Sequence, residues 1–359
     1  MNRNQCIETF MQHMPNEIDA AIVSDAANRK YLTGFISTAG TLLITRQAAY
    51  FIVDGRYVEA AQKNISNCKV ILETSLENQL RTLIAYHQIQ RIGIEISKLS
   101  YARAVWLKEN LAPTEVLLSS EMEYCLQQCR AVKSADEIAA IRTAQSIACA
   151  AFEHMTAFAR PGVQELELAI ELGTFAARHG CQRRAFSMIL TSGAKTALPH
   201  GAPPDRALTY GDVVMVDMSC MYEGFFSDMT RTFCVGKAGE KEQKIYHIVY
   251  EAQKAAMQAI KAEMPCNQID EKARQIIRDA GYGAYFSHNL GHSIGSETHE
   301  QPCFSPQCTA LLQAGQVLSV EPGIYLPNQF GIRIEDLALV TENGCEMLSK
   351  SPAEILVVS

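Results

Sequence analysis

No apolar run in the 359 residues approaches the roughly 18 consecutive residues of a membrane-spanning helix. The opening stretch, MNRNQCIETF, lacks the apolar core of a secretory signal. Basic residues are not in excess: 32 Lys and Arg stand against 39 Asp and Glu, a net charge of −7. Nothing in that balance points to nucleic acid or to an anionic membrane surface. Twelve cysteines are present, yet none forms a C-x-x-C pair. The closest in sequence, Cys125 with Cys129 and Cys303 with Cys308, do not have zinc-ribbon spacing. They read as small buried thiols of a reducing compartment. Together these absences predict a soluble, cytoplasmic protein. What remains is 48% hydrophobic, enough for a sizeable core and for two domains.

The first part of the chain alternates short apolar strands with helical segments. Residues 1–20 read as an amphipathic helix. Ala21–Val23, Leu42–Ile44, Tyr50–Val53, Val70–Leu72, Ile92–Ile94 and Val116–Leu118 read as strands. Tyr31–Phe35 follows a polar turn, and Asp54-Gly55-Arg56-Tyr57 opens a helix through Ala61. This predicts an α/β domain over residues 1–125, with no phosphate loop and no titratable cluster. From Leu126 the texture changes. Ser134 and Glu137 fit a capping box ahead of a helix that runs past Met155. A second helix spans Gln164 to His179-Gly180. Strand-like Phe186–Thr191 follows, and later two further helices, Lys241–Met264 and Ile269–Ala280. The end returns to strands at Val317–Val320, Gly331–Val340 and Ile355–Val358. Residues 126–359 therefore read as an α+β domain, with helices set around an antiparallel sheet. The two helix pairs hint at an internal duplication.

Within that domain VVMVDMSCMYEGFFSDMTRTF reads as a β-hairpin with a four-residue loop, Met221–Gly224. Pairing Cys220 with Phe225 places Asp217 opposite Asp228. Two carboxylates so close repel unless one stays protonated or a cation lies between them. Solvent-facing acids on an edge hairpin are the alternative, but Asp217 follows four apolar residues directly, and a buried Asp needs a partner. Of nine histidines, four are concentrated: His200 after Pro199, then His288, His292 and His299 in FSHNLGHSIGSETHE. Glu321 and Glu335 are charges embedded in strand-like apolar sequence. Asp217, Asp228, Glu321, Glu335 and one histidine make an oxygen-rich set that favours Mn2+, Co2+, Zn2+ or Fe2+ over thiophilic ions. Four carboxylates balance two divalent cations, which can activate a bridging water and polarise a carbonyl or phosphoryl oxygen. Gly291-His292-Ser293-Ile294-Gly295 also matches the nucleophile elbow G-x-S-x-G. The elbow requires a helix directly afterwards, and SETHEQPCFSPQ has no periodic apolar face.

The stretches TSGAKTALPHG, VVMVDMSCMYEGFFSDMTRTF, HNLGHSIGSETHE, SVEPGIY and GIRIEDLALVTENG, in this order, resemble the prolidase and aminopeptidase P group of pita-bread metallopeptidases. NRKYLTGF and VDGRY resemble that group's N-terminal, creatinase-like domain. The resemblance implies metal ligands at Asp217, Asp228, His292, Glu321 and Glu335. Asp228 and Glu335 would bridge two ions, Mn2+ first among the metals, and Glu321 would also shuttle a proton. It implies that His200 and His299 hold the scissile carbonyl and the tetrahedral intermediate, and that His288 and Arg333 line the substrate side. Ser219 and Ser293 stand where many members have Gly. The expected reaction is release of one N-terminal residue from short Xaa-Pro peptides, by a homodimer whose N-terminal domain limits peptide length. Methionine aminopeptidases share the ligand types. However, the 14-residue step from Glu321 to Glu335 is short, and an N-terminal domain is present. A broader metallo-aminopeptidase of the same fold remains open, and so does a peptide-binding module with a decayed site, although no ligand is missing.

Overall fold

The computed structural model describes residues 6–182, 188–201, 206–350, 352 and 354–359. Residues 1–5 of the expected first helix, and Phe186 and Ser187 of the expected strand, lie outside that set. The chain divides into two compact units, Met1–Arg130 and Ala131–Ser359.

In the first unit all six expected strands form: β1 (Ala20–Val23), β2 (Thr41–Thr45), β3 (Ala49–Val53), β4 (Lys69–Leu72), β5 (Arg91–Ile94) and β6 (Glu115–Leu117). They make one mixed sheet in the order β4-β3-β2-β1-β5-β6. The helices are α1 (Cys6–His13), α2 (Ala26–Thr33), α3 (Val58–Asn64), α4 (Leu76–His87), α5 (Tyr101–Asn110) and α6 (Glu121–Ala131). Central strands are buried on both faces, which is why they read as continuous apolar runs. Tyr31–Thr33, expected after a turn, instead close α2. Asp25 caps the start of that helix, and Gly34, at φ 71°, stops it in the left-handed conformation.

The second unit begins with α7 (Ala135–Thr156), where the Ser134–Glu137 capping box forms as read. Such a cap contributes about 0.5–2 kcal/mol. Then come α8 (Glu165–Arg178), β7 (Ile189–Ser192), β8 (Val213–Met218), β9 (Met221–Tyr222), β10 (Phe225–Phe226), β11 (Met229–Val235), α9 (Glu240–Ala259) and α10 (Cys266–Asp279). The remaining strands are β12 (Gly291–Ser293), β13 (Glu300–Phe304), β14 (Val317–Val320), β15 (Gly323–Leu326), β16 (Phe330–Arg333), β17 (Asp336–Val340), β18 (Cys345–Met347) and β19 (Leu356–Val358). These strands form several sheets rather than the single antiparallel sheet expected. The two larger ones run β19-β11-β8-β7 and β13-β12-β14-β17-β18. Helices α7 and α8 bury their apolar faces with β7, β8 and β11. Helices α9 and α10 do the same with β14, β16 and β17.

The hairpin register differs from the sequence reading. Asp217 pairs with Thr230, and Met218 with Met229. The cause is the turn. Glu223 and Gly224 both take positive φ, 46° and 76°, so a two-residue primed turn joins Tyr222 to Phe225. The four-residue loop does not form, and every pairing moves by two. Because strand side chains alternate with period two, the shift leaves each one on its original face. Asp217 and Asp228 still share a face, as diagonal rather than opposite neighbours.

Gly291 explains part of the glycine punctuation. A Cβ there would lie 2.0 Å from the carbonyl oxygen of Ser319, on the strand that leads to Glu321. Gly291→Ala must push β12 away from β14. The expected cost is about 1–3 kcal/mol, read as a lower melting temperature, together with weaker divalent-metal binding by titration. An unchanged melting curve would show that the two strands do not pack this closely.

Candidate metal centre

Each acidic candidate sits where a strand ends or begins. Asp217 is the penultimate residue of β8, and Asp228 directly precedes β11. Glu321 follows β14, because Pro322 has no N–H to continue the ladder. Glu335 was expected inside one strand, Gly331–Val340. The chain instead leaves β16 at Arg333 and enters β17, in a different sheet, at Asp336. Glu335 occupies that joint, and its N–H donates to Thr230 O at 3.2 Å. His292 is the middle residue of β12, at a register shift against β13.

These positions bring the side chains together. One ligand atom each from Asp228, His292 and Glu335 lies within 4.8 Å of the others. His292 Nε2 is 3.3 Å from Glu321 Oε1 and 3.7 Å from Asp228 Oδ2. Asp217 Oδ2 accepts from Arg333 Nη2 at 2.6 Å.

The electrostatics are those of a cation site. Burial, and then Asp217, push the Asp228 carboxyl well above the usual range. Burial, and then Asp228, do the same to Glu335. Asp217 is also raised by burial, against the pull of Arg333. Burial works against the charge on His292, but Glu321 and Asp228 overcome it and hold the imidazole at about 9. Burial likewise opposes the Glu321 carboxylate, yet its bond to His292 pulls it down to about 2. The metal-free chain therefore stores protons on Asp228, Glu335 and His292. Carboxylate oxygens and one imidazole suit a hard or borderline divalent cation, and such a cation would replace those protons.

The flanking candidates are placed as follows. His299 packs against His292 with ring centroids 4.3 Å apart and the rings tilted by 46°, and burial, then His292, lower its pKa. His200 is exposed at the end of the Leu198–Pro199 loop, close enough to act electrostatically on Asp217 and His299. His288 Nδ1 donates to Asn289 O at 2.8 Å, so Nε2 accepts from Tyr325 OH, also at 2.8 Å. That tautomer is neutral, in line with a pKa lowered by burial. Tyr325 OH in turn accepts from Arg333 Nη1 at 2.9 Å. Ser293 is fully buried in β12 and donates to Val317 O at 3.1 Å. No helix follows it, so the nucleophile elbow is absent.

Three further residues support the centre and were not singled out in the sequence. Thr230 Oγ1 donates to Glu335 Oε2 at 2.7 Å. Ser319 Oγ donates to Glu321 Oε1 at 3.2 Å and accepts from His292 N at 3.0 Å. Tyr325 joins His288 to Arg333. Thr230 and Ser319 lie two residues from Asp228 and Glu321, and that period-two spacing was the available signal.

Residues 139–342 match the model of metallopeptidase family M24. The chain belongs to metallopeptidase family M24. In this M24 chain residues 9–132 match the creatinase/prolidase N-terminal domain. It is 35% identical over 359 aligned positions to a Xaa-Pro dipeptidase of Pyrococcus horikoshii, covering 98% of this chain and 99% of the relative. A Xaa-Pro dipeptidase from Bacillus anthracis superposes with a TM-score of 0.95 at 36% identity, over 99% of this chain and 100% of the other. An X-Pro aminopeptidase from Thermotoga maritima superposes with a TM-score of 0.90 at 32% identity, over 98% and 99%. The fold of this M24 metallopeptidase is thus a creatinase-type N-terminal domain followed by a pita-bread catalytic domain, and the family implies divalent metal ions. Among the described residues, no helix is long and apolar enough to cross a membrane.

The proton storage gives a test. In the metal-free chain the raised groups hold protons that the unfolded chain has lost, so stability falls as pH rises from about 5 to 9. Metal binding must expel those protons. The expected result is net proton release on metal titration at pH 7, read by calorimetry in buffers of different ionisation enthalpy. Metal affinity should also rise with pH. Buffer-independent heats would contradict the arrangement.

Proposed function

We propose that this chain is a dinuclear Xaa-Pro peptidase that releases a single N-terminal residue from short peptides. The observation that carries the reading is the meeting of Asp228, His292 and Glu335, with ligand atoms within 4.8 Å of one another, in a chain so similar to Xaa-Pro dipeptidases. Asp228 and Glu335, whose buried carboxyls most need counter-charge, would be shared between the two ions. Asp217 would help hold one ion, and His292 with Glu321 the other. We assign Mn2+ as the metal, since the donors are mainly carboxylate oxygens. We also assign a homodimer as the assembly and the cytoplasm as the location, the latter fitting the free thiols.

When bound, divalent cations would supply Lewis acidity to a water molecule and to the scissile carbonyl. The chain's own groups do the rest. Glu321 Oε1, held as a carboxylate beside His292, accepts a proton. It passes that proton to the proline nitrogen, a tertiary amide nitrogen with no hydrogen of its own. His299, neutral and packed beside His292, donates a hydrogen bond to the carbonyl oxygen as negative charge develops there. His200 shares that task from the opposite loop. His288 and Arg333, joined through Tyr325, form the wall on the proline side. A broader metallo-aminopeptidase would use the same groups without that selectivity.

Ala-Pro and Ala-Pro-Gly should be cleaved far faster than Ala-Ala and Ala-Ala-Gly under identical metal loading. Equal rates would refute proline selectivity. His299→Ala should lower kcat by about 10²–10³ with metal retained. Loss of the metal instead would make His299 a ligand.

A further inference from the structure

Asp228, Glu321 and Glu335 stand at joints between strands, where no continuous ladder holds the main chain. A buried polar network behind the centre takes over that task. The N–H of Asp228 donates to Oε1 of Gln145, on α7, at 3.2 Å. Gln145 Nε2 donates to Ser349 Oγ at 2.9 Å. Ser349 Oγ donates to Asp336 Oδ1 at 2.6 Å. Arg231 Nη2 donates to the same oxygen at 2.7 Å, while its Nη1 donates to the carbonyl of Glu335 at 2.6 Å. Gln253 Nε2, on α9, donates to Asp336 Oδ2 at 3.0 Å and to the carbonyl of Val320, one residue before Glu321, at 3.3 Å. All five side chains are buried, Gln145 and Asp336 at 0% exposure.

Resting on the ligand assignment above, we propose that Gln145, Ser349, Asp336, Arg231 and Gln253 form a positioning frame that sets the spacing of Asp228, Glu321 and Glu335. A network that served only stability would have no need to end on the main chain at or beside three ligand residues. This one does so from α7, α9 and β11, with Ser349 of the C-terminal segment joining Gln145 to Asp336. Interior polar chains hold their geometry because any unmatched group is costly there. The frame therefore adds to the main-chain bonds that Glu321 and Glu335 already make to neighbouring segments. Its members touch neither substrate nor metal, so they are positioning residues.

The test uses the full chain with Gln145→Met and Ser349→Ala, which change volume little. Mn2+ affinity is measured by calorimetry, and the visible spectrum of the Co2+-loaded protein is recorded. Folding is followed by circular dichroism and melting of the metal-free form. Each variant should fold yet bind Mn2+ about 10–100-fold more weakly, the usual effect of losing a group that orients a ligand. The Co2+ spectrum should change as well. Ser349→Thr, which keeps the hydroxyl, should restore affinity. Folded variants with lower melting temperatures but Mn2+ affinity within about twofold of the parent would overturn the proposal, and so would the failure of both to fold. Asp228→Asn is run alongside. If it keeps full metal affinity, the ligand assignment itself has failed and the frame falls with it. If only the frame variants bind normally, the frame alone is wrong.

Discussion

Asp228 and Glu335 are 8% and 2% exposed, and their carboxyls face one another and two further acids. At an effective dielectric near 20, each like-charge contact at 4 Å costs about 4 kcal/mol. No folded chain of ordinary stability can hold several such contacts without relief. The available cations are already engaged: Arg333 on Asp217, and protonated His292 on Glu321. What is left must be met by stored protons or by bound metal. The rest of the second unit can be read as the scaffold that keeps these acids together. Two helix pairs each clamp a set of strands, and the acids stand where the chain passes between sheets.

Much of this was legible in the sequence, for identifiable reasons. The central strands of the first unit, β1 and β2, are buried on both faces, so their apolar runs are uninterrupted. The capping box at Ser134 is a local signal with a local cause. The four acids showed as charges set in apolar sequence, and His292 showed as part of a glycine-punctuated cluster. The shared face of Asp217 and Asp228 was inferred from a wrong register and still holds, because the error was an even number of residues.

Other features were hidden for physical reasons. Tyr222-Glu223-Gly224-Phe225 does not carry the Asn-Gly or Asp-Gly signal of a primed turn, and Glu at positive φ is uncommon. Glu335 looked like a strand residue because Ile332, Ile334 and Leu337 are all apolar. Nothing local reveals that the sheet changes between Arg333 and Asp336. Gln145, Gln253 and Ser349 are ordinary polar residues in sequence. Their roles depend on one buried network, in which Gln253 meets Asp336 across 83 residues of chain, Gln145 meets Ser349 across 204, and Ser349 meets Asp336 across 13. Tyr325 likewise acquires meaning only through His288 and Arg333.

The proposal on which the rest depends is that Asp228 and Glu335 would hold two cations between them. Anomalous scattering from crystals of the Mn2+-loaded protein addresses it directly. The account predicts two peaks about 3.5–4 Å apart, each with oxygen from both Asp228 and Glu335 in its coordination sphere. A single peak, or peaks coordinated without those two carboxylates, would contradict it.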